Sequence, residues 1–313
     1  MNPQRVFQPT PSPFAATIRP AHLAAHAADL VSPSCRCCLL SRLPAPSCFR
    51  NVLVALALAV TLPTRGDDPT DPDVPYRPAG HPAHSECVAD IHVPDGPTPD
   101  RGLPVLVWFH GGGLRGGDKQ IPEALQGQPI VVVSVAYRLT PTVTVADCID
   151  DAAASVAWTL DHIDRHGGNP EEVFVSGHSA GGYLTMMVGL DAKYLRRYDK
   201  DPNELRGLIP LSGHTITHFT RRKEMGLSDT DVIVDDMAPL RHVREDGPPI
   251  LCVTGDREHE MLGRYEENAY FVRMLDVVGH PDATLEELGG FDHGGMVEPA
   301  IALVMKFIQT HRR

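Results

Sequence analysis

The feature that most constrains this chain is the pentapeptide Gly-His-Ser-Ala-Gly at residues 177–181, because of what lies on either side of it. An apolar run at residues 173–175 precedes it, and a helix-compatible stretch at residues 183–190 follows it. In a strand–turn–helix of this type, the serine occupies a strained turn that pushes its hydroxyl clear of the backbone. Small residues must flank the serine, since neighbouring elements crowd so sharp a turn. The context therefore predicts that Ser179 is a nucleophile.

A second glycine-rich motif, His-Gly-Gly-Gly at residues 110–113, ends the apolar run at residues 105–109. Acyl transfer passes through a tetrahedral intermediate whose negative oxygen needs hydrogen-bond donors, and backbone N–H groups on a glycine-rich turn can supply them. A turn that only ended a strand would need no more than one glycine pair. The two motifs together predict an oxyanion hole formed by the N–H groups of Ala180 and of Gly111 or Gly112.

The two motifs, in this chain order, resemble those of the α/β-hydrolase family, and the resemblance covers about residues 86–310. It implies an α/β fold, with a mostly parallel sheet, helices on both faces and a small cap segment. It also implies that an acid and then a histidine follow Ser179 along the chain. The histidine implied as the general base is His293, in a glycine-flanked loop after the strand-like residues 284–288 and before a final helix at residues 297–309.

The acid is expected on the loop after the apolar strand at residues 250–254, because the family places there the carboxylate that orients the histidine. Three carboxylates on this loop compete for the role. Asp256 is predicted, since it is shortest and nearest the strand end. Glu258 stays open as the alternative, and Glu260 is less favoured than either.

Two stretches resemble the bacterial feruloyl- and acetyl-xylan-esterase-like branch of the family: His-Gly-Gly-Gly-Leu-Arg-Gly-Gly-Asp-Lys at residues 110–119 and Ala-Pro-Leu-Arg-His-Val at residues 238–243. The resemblance implies a serine carboxylesterase that hydrolyses a short-chain acyl or aryl ester through an acyl-enzyme, with polysaccharide-linked esters among the expected substrates. An amide hydrolase of kynurenine-formamidase or peptidase type is the alternative. A non-catalytic binding module on the same fold is a further alternative, disfavoured because the serine, the histidine and the glycines are all present.

Composition limits the partners of this protein. Its 313 residues, 42% of them hydrophobic, are enough for one large core. The net charge of −12 argues against nucleic acid and anionic membranes, which both require basic patches. The charge thus predicts no nucleic-acid partner, while the family resemblance implies a small-molecule or polysaccharide-linked ester as substrate and no cofactor.

The segment at residues 212–239 breaks the alternation of strands and helices, and we interpret it as a small cap or mobile loop over the site. His214 and His218 in this segment lie four residues apart, a spacing that suits two metal ligands on one helical turn. No further cysteine or carboxylate with suitable spacing accompanies them, so no metal site is predicted.

The amino-terminal part of the chain has a different character. Residues 1–63 are expected to form a disordered leader, of which residues 1–50 are rich in Pro, Ala, Ser and Arg. Its apolar stretch at residues 52–62 is too short to span a bilayer. Behind Arg42 and Arg50 it fits the hydrophobic region of a signal peptide, which predicts a secreted or periplasmic protein, with a cytoplasmic one as the alternative. Because signal peptides normally begin a chain, we expect an over-extended start site.

Two boundaries follow from these patterns. Residues 64–85 are rich in Pro and Asp and are predicted to be an extended, solvated linker. Residues 86–313 are predicted to form the catalytic domain.

Overall fold

The computed structural model describes residues 70–313. The predicted leader, its apolar stretch at residues 52–62 and the first part of the predicted linker lie outside the described residues. Eight strands form one sheet: β1 (Asp71–Pro75), β2 (Val88–His92), β3 (Leu103–Phe109), β4 (Val131–Val135), β5 (Gly168–His178), β6 (Gly207–Leu211), β7 (Ile250–Gly255) and β8 (Ala283–Leu288). The α-helices of residues 70–313 are α1 (Val145–His162), α2 (Ala180–Leu190), α3 (Lys193–Arg196), α4 (Phe219–Glu224), α5 (Arg264–Val277) and α6 (Val297–His311).

The strand order β1-β2-β4-β3-β5-β6-β7-β8 brings the predicted site residues to one edge of the sheet. Strands β3 to β8 pair in parallel, while β1 and β2 run antiparallel to their neighbours. The carboxyl ends of parallel strands share one edge, and ligands of open α/β sheets bind there. The loops that follow β3, β5, β6, β7 and β8 therefore meet at this edge.

Two apolar cores lie on opposite faces of the sheet. In β3, Val105, Val107 and Phe109 belong to the core that contains α1 and α2, whereas Leu106 and Trp108 belong to the core that contains α6. A strand covered on both faces needs apolar residues at every position, which explains the unbroken apolar runs of the sequence. The predicted architecture, a mostly parallel sheet with helices on both faces, is confirmed.

The predicted solvated linker is wrong for the part that the structure describes. Residues 71–75 form β1, which pairs with β2 and gives the sheet an edge strand. Tyr76 is buried, and Arg77 is 5% exposed and forms ion pairs with Asp150 at 2.8 Å and with Asp151 at 2.5 Å. The Pro/Asp-rich composition did not indicate this, because the partners that order the segment lie far away along the chain. The folded part of the chain thus begins before residue 86.

The predicted cap segment at residues 212–239 folds against the glycine-rich loop. Its short helix α4 begins at Phe219, whose ring occupies the space that a side chain at Gly113 would need. The hydroxyl of Thr220 donates to the carbonyl of Gly113 at 2.6 Å. The segment therefore touches the loop that is predicted to hold the oxyanion. Within residues 70–313, no helix combines the length and the apolar character needed to cross a bilayer.

Candidate active site

Ser179 occupies a sharp turn between β5 and α2. Its φ is +56°, a left-handed conformation that L-residues rarely adopt, and its N–H donates to the carbonyl of Leu211 at 2.8 Å. A Cβ at Gly177 or at Gly181 would overlap the carbonyl oxygen of Phe109. Both glycines are therefore required by the close approach of β3, as the sequence predicted, and the turn presents the serine at the edge of the sheet.

His293 lies in the short loop between β8 and α6, beside the serine. Its Nε2 is 2.9 Å from Oγ of Ser179, a distance at which the imidazole can accept the hydroxyl proton. The structure thus brings together the two residues that the sequence analysis named as nucleophile and base.

The acid that reaches His293 is Glu260. Its Oε1 lies 2.6 Å from Nδ1 of His293, and its side chain is fully buried. Oε1 also accepts the N–H of Met261 at 2.7 Å, and Oε2 accepts the N–H of Gly255 at 3.2 Å and the hydroxyl of Ser212 at 2.8 Å. Burial works to raise the pKa of Glu260, but the hydrogen bonds from His293, the Met261 N–H and Ser212 outweigh it and lower that pKa to about 2.

The predictions of Asp256 and of Glu258 as the acid are therefore wrong in this geometry. Asp256 accepts the N–H of Gly290 at 2.6 Å on one oxygen and the N–H of Glu258 at 2.8 Å on the other, and these bonds lower its pKa. It ties the loop after β7 to the loop after β8 and so supports the histidine loop. Glu258 is exposed. The shortest acid nearest the strand is thus structural.

A turn explains why the fifth residue after Gly255 supplies the carboxylate. The N–H groups of His259 and Glu260 both donate to the carbonyl of Asp256, at 2.9 Å and 2.7 Å. The turn folds the chain back toward the end of β7, so that the long Glu260 side chain enters the buried space beneath His293. Residue spacing alone does not indicate this turn. The sequence therefore favours Asp256 and Glu258 over Glu260.

His178, the residue before the nucleophile, also contacts the histidine loop. Its Nε2 lies 2.8 Å from the main-chain carbonyl of His293, and the two rings are 4.6 Å apart. Because a carbonyl only accepts, Nε2 of His178 must carry the proton. Burial, with the nearby His293, lowers the pKa of His178 to about 4. A neutral His178 therefore fixes the backbone of the base, a role that the sequence analysis missed.

The glycine-rich loop after β3 lies beside the serine. A Cβ at Gly111 would be 3.4 Å from Cβ of Ser179, and Gly112 has a φ of +100° that favours glycine. Neither N–H group, of Gly111 or Gly112, has a hydrogen-bond partner among residues 70–313. The N–H of Ala180 at the start of α2 belongs to the same predicted set of donors, whose role as an oxyanion hole stays a prediction.

His110 holds this loop in place from beneath. Its Nδ1 lies 2.7 Å from the carbonyl of Gly111, and its ring stacks on Tyr137 at 4.4 Å. The hydroxyl of Tyr137 donates to the His110 carbonyl at 2.9 Å. Burial lowers the pKa of His110, so the ring is neutral and acts as a support rather than as a charge.

One ring nitrogen of His214 and one of His218 are each hydrogen-bonded to a neighbouring protein group. Nδ1 of His214 lies 3.0 Å from Glu267, and Nδ1 of His218 accepts the N–H of Thr220 at 3.1 Å. Within the described part of the chain, no group of three or more His, Cys, Asp or Glu residues is arranged to hold a metal ion. Both imidazoles are buried, which lowers their pKa values.

Sequence comparisons relate this chain to a large group of hydrolases. A family profile described as alpha/beta hydrolase fold matches residues 106–245. The carboxylic ester hydrolase LipN of Mycobacterium tuberculosis is 34% identical over 275 residues, which cover 75% of this chain and 70% of LipN. The probable carboxylic ester hydrolase LipM of the same organism is 25% identical over 61% of this chain. The chain spans about half the length of LipM, 49%.

Solved structures with the same fold are similar over most of the described residues. An esterase from the planctomycete Thermogutta terrifontis superposes with a TM-score of 0.62 at 20% identity, covering 79% of this chain and 92% of that esterase. A truncated carbohydrate esterase from gut microbiota superposes with a TM-score of 0.66 at 15% identity, covering 78% of this chain and 97% of that protein. At such low identities the likeness concerns the fold alone.

Proposed function

Because this chain belongs to the α/β-hydrolase fold family, we propose that it is a serine carboxylesterase that works through an acyl-enzyme. The observation that carries the proposal is the hydrogen-bonded series from Ser179 to His293 at 2.9 Å and from His293 to Glu260 at 2.6 Å. This is the nucleophile–base–orienter arrangement that activates a hydroxyl at neutral pH. The relatives named carboxylic ester hydrolase and esterase support the ester as the bond that is cleaved.

In the proposed reaction, Oγ of Ser179 attacks the ester carbonyl carbon while Nε2 of His293 removes the hydroxyl proton. Glu260 stays ionised, as its lowered pKa requires, and stabilises the imidazolium that forms. The imidazolium then protonates the leaving alkoxide oxygen, and the alcohol departs. Water, activated by the same imidazole, attacks the acyl-enzyme and releases the carboxylic acid and the free serine.

The negative oxygen of both tetrahedral intermediates would be held by the N–H groups of Ala180 and of Gly111 or Gly112. These donors belong to a helix start and to a loop fixed by buried contacts, so they need little reorganisation during the reaction. Such preorganised donors contribute most of their stabilisation in the transition state.

We propose a short-chain acyl or aryl ester as the substrate. Within this class, we propose to test esters that are linked to polysaccharide. Exposed apolar side chains flank the triad along the chain: Met261 follows Glu260, and Phe291 precedes His293 by two residues. The ring of Phe219 lies against the glycine-rich loop. Apolar groups beside a few polar reactive groups suit a small ester better than a charged substrate.

Turnover of p-nitrophenyl acetate by the wild type and by Ser179→Ala tests the reaction class. We expect turnover by the wild type and its loss in the variant, together with stoichiometric labelling of Ser179 by a phosphonate ester. Absence of Ser179-dependent turnover would contradict the proposal. Acetylated and feruloylated xylan and p-nitrophenyl esters of increasing chain length then define the substrate, and cleavage of N-formylkynurenine in preference to all esters would favour an amide hydrolase.

A further inference from the structure

We infer that Ser212 is a positioning residue that sets the orientation of the triad carboxylate, an inference that rests on the proposed function. The Ser212 hydroxyl donates to Oε2 of Glu260 at 2.8 Å, and its oxygen lies 3.0 Å from Nδ1 of His293. Nδ1 in turn lies 2.6 Å from Oε1 of Glu260. The carboxylate, the hydroxyl and the imidazole N–H therefore form a closed ring of hydrogen bonds.

The Ser212 bond matters because it is the shorter of the two bonds on Oε2, whereas Oε1 is bound both by His293 and by the N–H of Met261 at 2.7 Å. Oε2 accepts two hydrogen bonds, and the one from Ser212 is shorter than the 3.2 Å bond from the Gly255 N–H. Without the hydroxyl, Oε2 would keep only this longer bond. Rotation about the terminal torsion of the carboxylate, which is intrinsically broad, would then be less restricted, and Oε1 would be less well aligned with the imidazole.

The backbone at this position does not itself require a serine. Ser212 follows β6 with a φ of +47°, a conformation that glycine adopts with less strain than any L-residue. Its N–H donates to the carbonyl of Val253 at 2.7 Å, and its carbonyl accepts a hydrogen bond from Nη1 of Arg264. Glycine could make both of these main-chain bonds. The hydroxymethyl side chain is what glycine lacks at this position, and its hydroxyl donates to the acid.

Helix α5 holds the Ser212 backbone in this unusual conformation. Arg264 is 1% exposed and binds the Ser212 carbonyl, and Asn268 donates to the carbonyl of Gly213 at 2.9 Å. Glu267, on the same face of the helix, accepts the N–H of Thr215 at 3.2 Å. Polar side chains at three positions of one helix face thus bind the main chain near Ser212. These buried contacts fix the backbone from which the Ser212 hydroxyl extends.

Replacement of Ser212 by glycine separates positioning from structural support. Ser212→Gly keeps the backbone bonds, relieves the left-handed strain and removes the hydroxymethyl group, whose hydroxyl is its one hydrogen-bonding atom. We expect kcat for p-nitrophenyl acetate to fall about tenfold, as for loss of one hydrogen bond to a charged group, with KM within about twofold of the wild type and a Tm that is unchanged or higher. Ser155→Ala is the matched control, since it removes a buried hydroxyl that donates to Ala152 within α1, and its kcat should not change.

A double-mutant cycle tests whether Ser212 acts through Glu260. In the Glu260→Gln background, Ser212→Gly should lower kcat by less than about twofold, because the carboxylate that the hydroxyl orients is gone. A full tenfold loss in that background would overturn the inference. If Ser212→Gly does not fold, Ser212→Ala provides the same comparison, and failure of both variants to fold would overturn it as well by making the role structural.

The outcomes distinguish this inference from the proposed function. Wild-type turnover that depends on Ser179, combined with normal kcat in Ser212→Gly, would overturn the positioning role and leave the esterase intact. Absence of Ser179-dependent turnover in the wild type would overturn both.

Discussion

Oε1 of Glu260 lies 2.6 Å from Nδ1 of His293, although this glutamate is the fifth residue after the end of β7 at Gly255. The carboxylate that follows the strand directly, on Asp256, is used instead to bind the N–H groups of Gly290 and Glu258. One acid therefore binds the imidazole of the proposed base, while Asp256 joins the loop after β7 to the loop after β8.

Exchange of these two acids for amides should have very different effects. Glu260→Gln puts an amide where the imidazole N–H needs a carboxylate, and we expect kcat to fall by a factor on the order of 10³ to 10⁴. Asp256→Asn should lower kcat less than about tenfold and act mainly on Tm, because its oxygens bind backbone N–H groups. Steady-state kinetics with p-nitrophenyl acetate and thermal melts of both variants provide the measurement. A greater loss of kcat in Asp256→Asn would contradict the assignment of Glu260.

A side chain at Gly112 should damage the oxyanion site. Gly112 has a φ of +100°, and a Cβ there would overlap the carbonyl of Gly116, so the loop must move. We expect Gly112→Ala to lower kcat by about 10² to 10³, as for the loss of one oxyanion donor. Gly80→Ala is the control, since Gly80 has a φ of +93° with no atom within 4 Å of an added Cβ. It should lower Tm modestly and leave kcat unchanged, and equal kinetic losses in both variants would argue against a specific role of the loop.

The lowered pKa of His178 should make the folded protein less stable as the pH falls. Burial lowers the pKa of His178 to about 4 in the folded protein, whereas an unfolded histidine titrates near 6.5. Between these values the unfolded chain binds more protons than the folded one, so this residue costs stability as the pH falls from about 6.5 to about 4. His178→Phe keeps an aromatic ring but cannot titrate. The Tm advantage of the wild type over this variant should therefore shrink as the pH falls from 7 to 4, and a constant difference would contradict the lowered pKa.

Glu260 affects stability in the same direction as His178, but its effect appears at lower pH. Its folded pKa of about 2 lies below the value near 4.3 of an unfolded glutamate. Its contribution to stability is therefore complete above about pH 4.5 and is lost as the pH falls toward 2. In acid unfolding followed by circular dichroism, the wild type should lose its stability advantage over Glu260→Gln in that window. An advantage that persists below pH 2 would contradict the ionic hydrogen bonds assigned to Glu260.

The ion pairs of Arg77 should make the segment around β1 important for stability. Asp151 is fully buried and is paired with Arg77 and Arg138. Arg77→Met leaves part of this buried charge uncompensated, and we expect a loss of about 3 kcal/mol in the free energy of unfolding in urea. Arg197→Met removes a pair between Asp150 and a half-exposed guanidinium and should cost less than about 1 kcal/mol. A small loss in Arg77→Met, similar to that in Arg197→Met, would show that the segment is dispensable.

The sequence predicted those parts of the site that local patterns determine. Ser179 and its flanking glycines belong to one sharp turn. The sequence indicates both the strand before this turn and the helix after it. His293 was found because it lies on a short loop between a strand and the last helix, where chain order leaves few candidates. These residues depend on contacts within a few positions of the chain, or on the order of the strands.

The acid and β1 could not be predicted because non-local contacts determine them. Glu260 reaches the histidine through a turn whose bonds involve main-chain atoms, and any of three acids on that loop matches the same local pattern. The strand at residues 71–75 is ordered by pairing with β2, and Arg77 by carboxylates more than seventy residues away. The composition of a segment indicates how readily it is solvated. It does not indicate which distant strand or side chain the segment will bind.

The position of β1 also affects how the molecule avoids association with its own copies. A strand at the edge of a sheet exposes unpaired N–H and C=O groups to other chains, and β1 is a short edge strand that carries Asp71, Asp73 and Pro75, residues that discourage such pairing. Removal of β1 would turn β2 into the edge, where the main-chain groups that now pair with β1 would be exposed beside the buried side chains of Ala89 and Ile91. A chain shortened to begin at residue 86 should therefore aggregate on refolding, even if its catalytic residues are all present.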